Sequence, residues 1–135
     1  MKKLGVFLLV IIVILAGCSP DKHYEITSDD IVEAYKKAGY TVWNSDYDRP
    51  GEFGEIAYIK AEQSNGDYIY FQFFESEEAA KEYKNEYYHP VMTSLFAAIY
   101  SGNFHYPRWE LYGHIVAQYD NPDLIKPMEE LLKIT

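Results

Sequence analysis

A chain of 135 residues suits one compact domain with a real core. Its 21 acidic side chains outnumber its 12 basic ones, a formal charge of −9 with histidine neutral. That balance argues against nucleic acid, which needs a basic footprint, and one cysteine cannot form an internal disulfide.

The first element is apolar and short. Lys2 and Lys3 precede a stretch from Leu4 to Gly17, fourteen residues, that runs into Leu15-Ala16-Gly17-Cys18. A spanning helix needs ~20 predominantly apolar residues. A positive start, a short apolar core and small residues before a cut are the pattern of a secretory signal peptide. Leu-Ala-Gly-Cys resembles the bacterial lipobox at every position. The resemblance implies cleavage before Cys18, a diacylglyceryl thioether on its sulfur and acylation of the new amino group. Each buried lipid CH₂ contributes ~0.8 kcal/mol, and two or more chains anchor a protein stably where one does not. Residues 1–17 are thus expected to be signal peptide, 18–26 a short tether and 27–135 a single domain. The chain left after cleavage has 118 residues and keeps 10 of the 12 basic side chains against all 21 acidic ones, a balance of −11. With Cys18 lipidated, no thiol remains for catalysis or metal binding.

Thr27-Ser28-Asp29-Asp30 opens a helix, and Thr27 with Asp30 approximates a capping box. Ile31, Ala34, Tyr35 and Ala38 share one helical face, and Gly39 supplies the stop. Tyr40 to Trp43 reads as a short extended piece, and Asn44 to Gly54 as a turn-rich loop. Ile56 to Gln63 and Asp67 to Phe74 flank Ser64-Asn65-Gly66, a strong hairpin signal. Alternation places Ala57, Ile59 and Ala61 with Ile69, Phe71 and Phe73 on one face, and Tyr58, Lys60 and Glu62 with Tyr68, Tyr70 and Gln72 on the other. Ser76 caps a second helix, with Ala80, Tyr83 and Tyr87 as its apolar stripe. Pro90 ends or kinks it, and Met92, Leu95, Phe96 and Ile99 are spaced as a further helical segment. Arg108 to Tyr112 and His114 to Tyr119 form a second hairpin around Gly113. Asn121-Pro122-Asp123 starts a last helix, disturbed by Pro127 and firm over Met128 to Lys133.

The pattern predicts an α+β fold: helix–hairpin–helix–hairpin–helix, an antiparallel sheet of two hairpins with helices packed on one face. Ser28 to Lys36 can be laid on Ser76 to Lys84, which fits either a duplicated helix–hairpin unit or shared capping signals. The lipobox, the strand-to-helix step Phe73 to Ala80 and the strand Gly113 to Tyr119 together resemble small lipoproteins of Gram-positive bacteria. That resemblance implies a lipid-anchored α+β domain at the extracytoplasmic face of the cell membrane. It supplies a fold and an address, not a chemistry.

The candidate chemistry is thin. His23, His89, His105 and His114 have no metal-ligand spacing. Asp46, Asp48 and Glu52 lack the spacing of a calcium loop. No nucleophile motif and no phosphate-cradling glycine loop occurs. The acidic pairs Asp29-Asp30 and Glu77-Glu78 sit in first helical turns, where the helix dipole accounts for them. No cofactor is expected.

Tyrosine is the unusual residue, with fourteen copies, all after the signal. Tyr58, Tyr68 and Tyr70 fall on the sheet face opposite Phe71, and Arg108, Tyr112 and His114 extend that patch if the second hairpin joins the same sheet. Tyrosine contributes large contact area at low entropy cost, so these six residues are the candidate partner-binding surface. The plain alternative is that exposed tyrosine suits β-strands. The sequence therefore points to a non-enzymatic binding or accessory module with a protein or cell-wall partner. A small extracytoplasmic enzyme or a metal or ligand carrier is the competing class.

Overall fold

The computed structural model describes residues 25–88 and 107–134. The signal segment, Cys18, His23, His89, His105 and the helical segment expected around Met92 to Ile99 lie outside them. The elements are α1 (Ser28–Lys37), β1 (Thr41–Asp46), β2 (Glu55–Glu62), β3 (Tyr68–Phe74), α2 (Glu77–Tyr87), β4 (Arg108–Tyr112), β5 (Ile115–Tyr119), a 3₁₀ turn (Pro122–Ile125) and α3 (Lys126–Ile134). The strands make one antiparallel sheet in the order β1-β2-β3-β5-β4. The fold is α+β.

Helix α1 starts on the expected box. Thr27 Oγ1 accepts from the Asp30 N–H at 3.2 Å, and the Asp30 carboxylate accepts from the Thr27 N–H at 2.8 Å. The Thr27 backbone bond, then its hydroxyl, holds the Asp30 carboxyl below its ordinary value. This contribution is complete above the ordinary value and is lost as pH falls through the lowered one. At the other end Gly39 takes φ +89°, its N–H donates to Lys36 O, and the Tyr40 N–H donates to Tyr35 O. That is a Schellman stop, closed by the Tyr35 and Tyr40 rings at 5.0 Å.

The first hairpin has the expected faces. Ile59 pairs with Phe71, Ala61 with Ile69 and Ala57 with Phe73, and all six are buried. Its turn is not a two-residue primed turn. The Gly66 N–H donates to Gln63 O at 3.0 Å, and only Gly66, at φ +91°, leaves the negative-φ region. Asn65 instead accepts the Asp67 N–H on its side chain.

Three expectations need correction. The piece after Tyr40 is a six-residue edge strand, so residues 41–74 form a three-stranded meander rather than one hairpin. Asn44, Ser45 and Asp46 have weak strand preference, but pairing with Ile59, Tyr58 and Ala57 overrides it. Second, the helices do not share one face. α1 and α3 cover the side carrying Ile59, Phe71, Ile115 and Ala117, whereas α2 covers the other through Ala80 and Tyr83, which meet Phe74, Val116, Trp109 and Leu111. Ile115, Val116 and Ala117 form a continuous apolar run because β5 is buried on both sides. Third, the C-terminal start is two elements. Asn121 caps a 3₁₀ turn, and α3 follows with Pro127 in its first turn, where no amide donor is required.

The main core joins α1, α3 and one sheet face. Tyr35 is fully buried, and its hydroxyl donates to Leu124 O at 2.8 Å, tying α1 to the 3₁₀ turn. Tyr35→Phe keeps the ring and strands a buried carbonyl, so it is expected to cost about 1–3 kcal/mol. Denaturant unfolding checks this; an unchanged midpoint would mean that the carbonyl finds another donor. On the same face Glu110 accepts from the hydroxyls of Tyr112 and Tyr119, the latter at 2.6 Å. Burial first, then donation to Glu110, pushes both phenols well above the ordinary tyrosine range.

Candidate functional site

Among the described residues, α2 alone covers the sheet face opposite α1 and α3, and only in part. Helix α2 lies over its β5–β4 side. Tyr83 stacks on Trp109 with ring centroids 5.9 Å apart and planes at 28°. Phe53, Phe74 and Tyr87 surround Tyr83 at 4.8–5.8 Å. Burial, reinforced by the Glu55 carboxylate, raises the Tyr83 phenol above its ordinary value.

No described helix covers the β1–β3 side of the face, and a groove of about 360 Å³ marks the step between the two. Tyr83 and Trp109 line it from one side, Tyr47, Tyr58 and Tyr70 from the other, and Gln72, Val116 and Gln118 complete it. Tyr47 is placed by Gln72, whose amide donates to the Tyr47 hydroxyl and to Ala57 O, both at 3.3 Å. The Tyr47 and Tyr58 rings stand 6.1 Å apart.

From Tyr70 the same face continues beyond the groove as an exposed aromatic ridge. Tyr68 and Tyr70 meet edge to face at 5.1 Å and are 43% and 37% exposed. Lys60 lies 5.2 Å from the Trp43 centroid and 5.0 Å from that of Tyr68, and it pairs with Glu62 at 2.6 Å.

The six expected surface residues therefore divide. Tyr58 and Tyr70 line the groove, and Tyr68 stands beside it. Arg108 and Tyr112 do not extend the patch. The second hairpin does join the sheet, but a two-residue turn at Gly113 and His114 pairs Tyr112 with Ile115 and so sets it on the α1–α3 face. Arg108 sits opposite Tyr119 on that same face. Trp109 and Leu111 take the groove side. His114 is in the turn, its ring 6.2 Å from that of Phe73.

Sequence reasoning missed Trp43, Tyr47, Tyr83, Trp109, Gln72 and Gln118 as site residues. Strand alternation carried a signal for Trp109 and Gln118, once Tyr112 is paired with Ile115. Tyr47 and Tyr83 had none, since each reaches the face from a neighbouring loop or helix.

Among the described residues that line the groove there is no Asp, Glu, His, Lys or Arg. It offers aromatic faces, phenol hydroxyls and two amides, which bind by stacking and hydrogen bonding. Among the described residues no group of three or more His, Cys, Asp or Glu side chains is placed to hold a metal ion. No helix among them is long and apolar enough to cross a membrane.

Residues 1–19 match the family model of the prokaryotic membrane lipoprotein lipid attachment site. The chain thus carries a bacterial lipoprotein signal, the mark of a protein anchored to a membrane through lipid. No curated protein and no solved structure matches it.

Proposed function

We propose that this protein is a non-enzymatic binding module, held by lipid on Cys18 at the extracytoplasmic face of the cell membrane. Residues 1–17 are the cleaved signal, 18–26 the tether and 27–135 the binding domain. Its aromatic groove and the ridge beside it contact a protein or cell-wall partner. The observation that carries this reading is the groove itself: among the described residues, five aromatic side chains and two amides line one concavity, with no charged group beside them. Such surfaces supply anchors that are rigid and partly apolar, as binding interfaces require. Ile26 is already buried in the core, so the free tether before it reaches at most ~30 Å and the partner lies close to the bilayer.

The test is crosslinking on whole cells. The Tyr68→Ala, Tyr70→Ala double variant removes two half-exposed rings, and surface changes of this kind cost about 0.5 kcal/mol or less in stability. It is expected to stay folded and membrane-bound while losing partner capture, because truncated aromatic hot spots cost ~2 kcal/mol or more in binding. A folded variant that captures every wild-type partner places the site elsewhere, with the loop between β1 and β2 next in line.

A further inference from the structure

Helices α1 and α3 turn Ile31, Tyr35 and Met128 toward the sheet. On their outer side they leave a groove of about 580 Å³, with Ala34, Lys37 and Ala38 on one wall and Pro127, Leu131 and Ile134 on the other. Ile134 is 83% exposed, more than any other large apolar side chain among the described residues. An isoleucine so placed adds nothing to the core.

The two helices are antiparallel. Tyr35, near the end of α1, donates to Leu124 O just ahead of α3, and both helices line the groove along their length. Ile134 therefore lies at the Ser28 end of α1. The chain coming from Cys18 enters the fold at that same end, because Ile26 is buried and Thr27 caps the helix. Eight residues lead from Cys18 to Ile26, a reach of at most ~30 Å. Helix α1 has ten residues and is about 15 Å long. The tether thus keeps the whole groove within reach of the surface that holds the lipid.

Charge favours the same side. α1 and α3 carry four lysines, Lys36, Lys37, Lys126 and Lys133, against five carboxylates, Asp29, Asp30, Glu33, Glu129 and Glu130, a balance of −1. The chain left after cleavage carries −11, so nearly all the charge that an anionic bilayer repels lies elsewhere. Of the carboxylates on the groove, Asp30 is engaged by Thr27 and Glu130 by Lys133. The stem of Lys37 can lie along apolar surface with its ammonium group at the lipid phosphates.

We propose that this groove rests on the bilayer that holds the lipid of Cys18, with Pro127 and Ile134 in the interfacial region and both helices in the membrane plane. The proposal rests on the reading that Cys18 is lipidated, and it orients the domain: the aromatic face turns away from the bilayer. A weak contact suffices, because a short tether holds the two surfaces at roughly millimolar effective concentration.

A lipidated Cys18 leaves no thiol, so an introduced cysteine is labelled alone. Ala38→Cys puts a fluorophore in the groove at the end remote from the tether. Asn85→Cys puts one on α2, across the sheet. The lipidated chain is reconstituted in vesicles of phosphatidylcholine and phosphatidylglycerol, some of whose headgroups carry a nitroxide quencher. Quenching is expected to be at least threefold greater at position 38 than at position 85. Ile134→Asp is expected to bring the two to equality with an unchanged circular dichroism spectrum, and Ile134→Leu to keep the difference. Energy transfer between copies labelled at position 38 reports a second copy in the groove. Equal quenching at the two positions without further substitution, a difference that survives Ile134→Asp, or energy transfer in place of nitroxide quenching overturns the proposal. Should Ile134→Asp unfold the chain, the comparison of positions 38 and 85 decides. A chain that enters the vesicles but is quenched equally at both overturns this proposal alone, whereas one that never enters them overturns the anchor as well.

Discussion

Phe71→Ala is expected to remove about 3–5 kcal/mol of folding stability, the usual cost of truncating a buried phenylalanine. Phe71 has no exposed surface and sits mid-strand in β3, the central strand of the sheet. Its backbone neighbours are Ile59 on one side and Ala117 on the other. Its ring meets that of Tyr35 edge to face at 5.3 Å, so it also joins the sheet to α1. The truncation therefore leaves a cavity where three elements meet, and alanine and isoleucine neighbours on paired strands have little freedom to collapse into it. Small domains hold about 5–15 kcal/mol in total, so the variant is expected to be marginal at ordinary temperature. Denaturant unfolding followed by circular dichroism measures the effect. A midpoint equal to wild type would show that the phenylalanine does not occupy this site.

Cys18→Ser is expected to block lipidation and to leave an uncleaved or shed product. The hydroxyl is a far poorer nucleophile than the thiolate, so the thioether does not form. Detergent phase partition separates the outcomes. Wild type should enter the detergent phase and carry Cys18 as its amino terminus. The variant should be uncleaved or shed. Equal partition of both, with a different amino terminus in the wild type, would refute anchoring through Cys18.

Local signals in the chain were readable and tertiary ones were not. The Thr27–Asp30 box, the Gly39 stop and the first hairpin depend on residues close in sequence, and each formed from those residues. The length of β1 depends on β2 offering an edge, which Asn44, Ser45 and Asp46 cannot announce. The placement of α2 depends on which sheet face is left apolar. The clue lay in Ile115, Val116 and Ala117, three apolar residues in succession, since a strand covered on one side alone alternates. The groove followed the same division. Tyr58, Tyr68 and Tyr70 were legible from period-2 spacing against Ile69 and Phe71. Arg108 and Tyr112 were assigned to the wrong face because the pairing across Gly113 and His114 was not carried through to its parity. Tyr47 and Tyr83 enter through a loop and a helix, and no periodicity connects them to the strands they face.

The strand order has a consequence for how the chain comes together as it is made. Strand β5 enters between β3 and β4, so the free edge of β3 is not closed by the segment that follows it. A chain emerging amino terminus first builds the β1–β2–β3 meander early and then holds Ile69, Phe71 and Phe73 along an unpaired margin until residues 115–119 arrive. Strand β4 cannot substitute, since its partner is β5. Open apolar margins of this kind recruit other chains. A transcript cut short before Ile115 would therefore yield not a smaller working domain but a sticky fragment, and residues 115–119 act as the closing stitch of the whole sheet.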